Sequence, residues 1–472
     1  MKTAKIILFL IIISLLFPTG VLASRMKSTA WQADGPVYIV QAGDYMSVIA
    51  SRFGLTLDEI AQANPEMDIN AIVPGDRIII PGLEGVNGVL TTVPVGFGET
   101  LDSLSRKNRL DKDFLIQLNH ITSPSELFVG IGLILPLSED QPLFSKPFSL
   151  KSGSSVMEKA IFSGKSAYEH LLNNSINHSW QLLPGEIAFE EGISDDSTGV
   201  TFSDLITSFE ITNFPIVQGG TASIRIQTSE AVSLSGILVD MPLKFAMESE
   251  NQYVALQGVH ALLEPGPYPL RIELKSVDGE TQSFEQTVLV TSGYYPDDPI
   301  LVVDSATIDP TQNDTELAKV LEITSEFSDP RYWTGIFANP SVYPDCFTSR
   351  YGNRRLYKGE NSDLEYRSFH TGLDFCGGEG LPITAPADGV VVIAEPMTIR
   401  GNATIIDHGW GVYSGIWHQS AIEVQPGQRV TKGEIIGYVG GTGRVTGAHL
   451  HWEVWVNGIQ VNPMNWLNNQ FP

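Results

Sequence analysis

The chain is poor in cysteine, in basic side chains and in long apolar runs. Of its 472 residues only two are cysteines, Cys346 and Cys376, so a disulfide-rich scaffold is excluded. Lys and Arg number 29 against 54 Asp and Glu, a formal net charge of −25, which argues against binding nucleic acid through its phosphates. Charged residues make up only 18% and hydrophobic residues 42%, so the bulk is globular rather than disordered. The one long apolar run, Ile6–Phe17, is interrupted only by Ser14 and is too short to span a bilayer comfortably. With Lys2 and Lys5 before it and Val21-Leu22-Ala23 after it, residues 1–23 read as a signal peptide. No cysteine follows the cleavage position, so no lipoprotein anchor is expected. The expectation is a secreted or cell-wall/periplasmic protein without a transmembrane segment once the signal is removed.

Forty-four glycines and twenty-eight prolines point to turn-rich β structure. Near the N-terminus, Val37-Tyr38-Ile39-Val40 alternates like a strand. Met46, Ile49 and Phe53, then Leu57, Ile60 and Ala61, have helical spacing, and Arg77-Ile78-Ile79-Ile80-Pro81 closes as a strand. The pattern returns 55 residues later without a gap. Gly43 matches Gly98, Ile49 Leu104, Ile60 Leu115, Asn64 Asn119, Gly75 Gly130 and Pro81 Pro136. Such a match indicates a duplication. Both units, residues 36–82 and 89–137, resemble LysM modules, the second more weakly because Pro94 interrupts its first strand and Asn108-Arg109 replaces Phe53-Gly54. The resemblance implies small βααβ folds that bind N-acetylglucosamine-containing glycan; the second copy reads either as a binder or as a spacer.

Residues 138–204 read as a spacer of unknown fold. Val156, Ala160 and Ala167 permit a helix there that Gly164 weakens, and Leu182-Leu183-Pro184-Gly185 echoes the end of a LysM unit. Residues 205–292 hold short alternating runs such as Ser223–Gln227 and Leu270–Leu274, with Asp278-Gly279 as a hairpin turn, and suggest an immunoglobulin-like β-sandwich. Residues 293–340 read as a linker with one short helix, started at Asn313-Asp314-Thr315-Glu316 and ended by Asp329-Pro330.

Five of the nine histidines lie beyond residue 369. His370-Thr371-Gly372-Leu373-Asp374 sets an imidazole and a carboxylate four residues apart, about 13 Å on a straight strand, so Gly372 is expected to bend the backbone and bring them together. In His449-Leu450-His451-Trp452-Glu453 the two histidines share one strand face. His370, Asp374 and His451 then form a three-ligand set with an open position, as a catalytic zinc requires. His449 is left for proton transfer, His418 is a second candidate, and His408 reads as a turn residue. Gly440-Gly441-Thr442-Gly443 lacks the lysine of a phosphate loop and reads as a tight turn.

From about Phe347 to Leu467 the chain resembles the lysostaphin/LytM-type zinc endopeptidases through "SRYGNRR", "HTGLDF", "GLPITAPADGVVV" and "GRVTGAHLHWEV". The resemblance implies Zn2+ on His370, Asp374 and His451, with His449 and His418 as additional active-site histidines. Ile416-Trp417 stands where the family often has tyrosine before its histidine, which implies an altered pocket. It further implies a peptidase domain over residues 341–472. The resulting expectation is a multidomain, mainly β protein: a secreted peptidoglycan endopeptidase that hydrolyses wall stem or cross-bridge peptides by zinc-activated water, targeted to wall glycan by its LysM modules. Export permits a Cys346–Cys376 disulfide, the alternative being two buried thiols.

Overall fold

The computed structural model describes residues 35–472 apart from 84–85, 87–88, 124–125, 138–145, 151–152, 184–185, 191–204, 213 and 280. The signal-peptide reading lies outside the described residues. Among them, no helix is long and apolar enough to cross a membrane. The chain divides into two units, one of residues 1–93, 113–121 and 132–142, the other of residues 94–112, 122–131 and 143–472.

In the first unit Val37–Ile39 pairs antiparallel with Arg77–Ile79 and parallel with the start of the second repeat, Val37 opposite Val89. The two repeats thus share one sheet, whose order ends with Gly132–Leu137. Helices Met46–Arg52 and Leu57–Ala63 cover it, the second begun by a reciprocal cap between Thr56 and Glu59. Tyr38, Ile49, Ile60 and Ile78 are fully buried between helices and sheet.

In the second unit, two sheets pack around Ile224, Ile226, Leu270, Ile272 and Val288. Their long hairpin, Gly266–Ser276 with Thr281–Thr291, turns at Asp278-Gly279, where Gly279 has φ +87°. The region between residues 138 and 204 holds two strands, Lys146–Ser149 and Ile187–Glu190, around helices Val156–Ser163 and Ala167–Asn173. Gly164, at φ +67°, separates those helices and so divides the single helical stretch that the sequence permits.

Residues 293–340 are more than a linker. Leu301–Val303 pairs with Arg354–Gly359, and Trp333 and Phe337 are buried against Trp466. The helix runs Pro310–Thr324 and is capped by Asp309, whose carboxylate accepts from Gln312 N; the start signal lies four residues before Asn313. Pro at the first helical position needs no N–H partner, which favours the earlier start. The sandwich also packs on the C-terminal domain, with Leu256 O accepting from Asn457 Nδ2 and Thr221 Oγ1 from Trp466 Nε1.

The C-terminal sheet runs in the order Phe347–Ser349, Leu373–Phe375, Leu450–Val456, Val412–Gln419, Gly401–Gly409, Gly389–Met397, Arg429–Val430. Every residue of Leu450–Val456 is buried, as expected for a strand with neighbours on both sides and cover on both faces. Cys346 and Cys376 form a disulfide, Cα atoms 5.4 Å apart, beside the first motif.

Candidate metal centre

Strand register assembles the site. Asp374 lies opposite His451, and Trp417 lies opposite His451 on its other side, so His418 follows at the end of the neighbouring strand. His418 has φ +64°, a left-handed conformation uncommon for a side chain with a Cβ and one that concentrates at functional sites. Gly372 keeps negative φ; its requirement is close approach. A Cβ there would sit 2.8 Å from His451 Nε2 and press on the Trp452 carbonyl. The expected reason for the glycine, a backbone bend, is therefore replaced by packing against the Leu450–Val456 strand.

Asp374 Oδ1 is the common point. It lies 3.0 Å from His370 Nε2, 2.7 Å from His451 Nδ1 and 3.4 Å from His449 Nε2. His370 Nε2 and His451 Nδ1 are 3.1 Å apart. Ligand atoms at about 2.0–2.1 Å from a tetrahedral zinc stand about 3.3 Å from one another. The three atoms are already near that spacing, so the residues present fit the ion. His418, His449 and His451 form a second, overlapping group of donors.

Each imidazole is held by its outer nitrogen. His370 Nδ1–H donates to Arg350 O at 2.8 Å, His418 Nδ1–H to Thr442 O at 2.8 Å and His449 Nδ1–H to Gly447 O at 2.8 Å. His451 Nε2–H donates to Glu453 Oε1 at 3.2 Å. Carbonyl and carboxylate oxygens only accept, so these bonds select the tautomers that leave His370 Nε2, His418 Nε2, His449 Nε2 and His451 Nδ1 as lone pairs facing inward.

The electrostatics suit a cation. Burial holds the His370 and His418 imidazoles below their ordinary pKa. Burial would raise the Asp374 carboxyl, but the His370 and His451 imidazoles outweigh it and hold the group well below the usual range. Glu453 is likewise held down, to about 2: burial opposes ionisation, and the His451 hydrogen bond overcomes it. Arg355 reaches Asp374 Oδ2 with Nη2 at 3.1 Å and Asp298 Oδ2 with Nε at 3.0 Å.

The sequence-based set of five, His370, Asp374, His418, His449 and His451, thus converges on one cleft of about 660 Å3. The cleft is also lined by His260 and Leu262 from the sandwich and by Tyr357 and Arg444. His408 corrects the sequence expectation. It is a fully buried strand residue, bonded to Asp388 O and Ser414 Oγ, because Gly401–Gly409 continues through it. Sequence reasoning gave no role to Glu453 or Arg355. Glu453 had a signal, two residues past His451 on the same strand face; Arg355 closes the SRYGNRR motif, whose spacing along the chain does not show its contact with Asp374.

Residues 368–463 match the model of Peptidase family M23, and residues 38–81 and 95–136 match that of the LysM domain. Over 96 residues the chain is 45% identical to DD-carboxypeptidase/endopeptidase Mpg of Neisseria meningitidis serogroup B, covering 20% of this chain and 22% of that protein. Over 95 residues it is 44% identical to Peptidoglycan DD-endopeptidase ShyA of Vibrio cholerae serotype O1, again 20% and 22%. The chain thus spans about a fifth of the length of the curated relatives it matches. Among solved structures, the catalytic domain of the antimicrobial peptidase lysostaphin from Staphylococcus simulans is 30% identical, with 24% of this chain and 85% of that chain covered and a TM-score of 0.21.

Proposed function

From a chain whose C-terminal domain belongs to peptidase family M23 and whose N-terminal part carries two LysM domains, we infer a zinc-dependent endopeptidase of peptidoglycan, exported and held on wall glycan by those domains. The observation that carries this reading is the convergence of three oriented imidazoles, His370, His449 and His451, on one carboxylate oxygen of Asp374 in an open cleft, with His418 beside His449 and His451. His370, Asp374 and His451 would hold the ion. When bound, zinc acidifies a water and polarises a scissile carbonyl.

The chain's own groups supply the rest. His449 and His418 stay off the ion in this reading. Each offers Nε2 to the cleft, to accept or return a proton or to steady the developing oxyanion. Glu453 and Arg350 fix the tautomers of the ligands, and Arg355 holds the second carboxylate oxygen of Asp374. Trp417, buried beneath the Arg400 guanidinium, shapes the floor beside His418.

The test is digestion of purified sacculi by the zinc-loaded chain, with mass spectrometry of the soluble peptides. Cross-linked dimers should fall to monomers, and chelation or Asp374→Ala should stop it. Sacculi left intact by the zinc-loaded chain would end the reading. The overlapping set His418, His449 and His451 gives a second reading. Zinc retained by His370→Ala and lost by His418→Ala would select it.

A further inference from the structure

Residues 146–190 repeat the LysM fold a third time. Both helix starts recur at the 55-residue offset that relates the first two repeats: Met46, Leu101 and Val156, then Leu57, Lys112 and Ala167. The strands recur as well. Phe148 pairs with Ala188 as Tyr38 pairs with Ile78, each shifted by 110 residues, twice 55.

Two left-handed positions recur in every copy. Gly43, Gly98 and Gly153 have φ +90°, +81° and +82°, and Gly54, Arg109 and Gly164 have +66°, +54° and +67°. A side-chain clamp recurs too. Asn64 Nδ2 donates to Ile60 O and Ile79 O, each at 2.9 Å, while its Oδ1 accepts from Ile79 N at 2.8 Å. Asn119 does the same with Leu115 and Ile134 at 3.1, 3.0 and 2.7 Å. Asn174 does it with His170 and Phe189 at 2.8, 2.8 and 2.7 Å. One amide that joins a helix end to the closing strand at the same place in three copies reflects a common fold.

In the third copy the loop between second helix and closing strand carries Trp180, 70% exposed and stacked on His178 with centroids 4.2 Å apart and planes 6° apart. All other described tryptophans, Trp333, Trp410, Trp417, Trp452, Trp455 and Trp466, are buried. An exposed indole held flat by a stacked neighbour offers a rigid apolar face for a ligand at little further ordering cost. The imidazole fixes its orientation and leaves a flat, electron-rich face outward. The C–H face of a pyranose ring is apolar and slightly positive, and fits such a platform.

We propose that residues 146–190 are a third wall-glycan module, in which the His178–Trp180 pair stacks on an N-acetylhexosamine ring. The proposal rests on the glycan reading of the two LysM domains. The test is titration of the full chain with a β-1,4-linked N-acetylglucosamine hexamer, read by calorimetry and by acrylamide quenching of tryptophan fluorescence. The hexamer should protect a quenchable tryptophan. Trp180→Ala should remove that signal and weaken sedimentation with peptide-free glycan strands about three- to tenfold. Trp180→Phe should restore part of the binding, and hydrolysis of a soluble wall peptide should not change. Binding by the full chain that is unaltered in Trp180→Ala would overturn this proposal and leave the first two modules standing. No binding by the parent chain would overturn both.

Discussion

Glu453 allows the metal-site reasoning to be tested away from the ligands themselves. Its carboxylate accepts from His451 Nε2 at 3.2 Å, from Thr371 Oγ1, from Trp455 Nε1 at 2.8 Å and from Gln460 Nε2 at 3.2 Å, and it is 2% exposed. In Glu453→Gln one carboxylate oxygen becomes an NH2 that faces N–H or O–H donors. One unsatisfied buried pairing costs about 1–3 kcal/mol of stability. The partner that keeps His451 Nδ1 turned inward loses its charge. Loss of such a supporting bond lowers metal affinity about 10–100-fold, or about 1.4–2.7 kcal/mol. Glu453→Ala strands all four donors and should fold poorly. The assay is competition for zinc against a chromophoric chelator, run well below the thermal transition of the apo variant, so that affinity and stability are read separately. Wild-type zinc affinity in folded Glu453→Gln would refute the claim that the charge of this carboxylate supports His451 as a ligand.

His451→Ala should lose zinc, whereas His449→Ala and His418→Ala should keep zinc and fold but lose about 10²–10⁴ in rate; metal analysis alongside peptide hydrolysis separates the outcomes. Opening the Cys346–Cys376 bridge as Cys346→Ala/Cys376→Ala should cost about 3–4 kcal/mol, since its cysteines are 30 residues apart, and denaturant titration reads this directly. Burial pushes the His408 pKa down to about 4. The unfolded chain therefore takes up that proton first, near its ordinary value of about 6.5. Stability should be intact above pH ~6.5 and fall by up to about 3 kcal/mol as the pH drops through ~4. His408→Gln should flatten that part of the Tm–pH profile, and a slope identical to wild type would reject the cause.

What sequence alone determined were the features written locally in one residue order. Two repeats were legible because their glycines, core positions and closing prolines recur at a fixed offset. Of the five residues that meet in the cleft, His370, Asp374, His449 and His451 were legible in two short motifs, and His418 chiefly through the family resemblance. The third repeat was hidden although it keeps the same offset. The outward helical positions Ser47, Ser51, Asp58 and Gln62 of the first copy become Met157, Ile161, Tyr168 and Leu172, all exposed, while the inward Ile49 becomes Lys159. That exchange erases the polar–apolar contrast on which a helical reading depends. The third repeat's one legible trace was the LysM-like ending at Leu182-Leu183-Pro184-Gly185; the left-handed positions and the asparagine clamp brought the whole repeat out.

Tertiary structure alone decided the surroundings of the site. Arg355 lies 19 residues from Asp374 on another hairpin, and the carbonyls that orient His418 and His449 come from Thr442 and Gly447 in a loop. A backbone carbonyl has no residue identity to read, and contacts across sheets follow no spacing along the chain. The same reason explains why residues 293–340 read as a linker. Their burial depends on Trp466 and Phe471, more than a hundred residues later, and no local pattern announces a partner that far away.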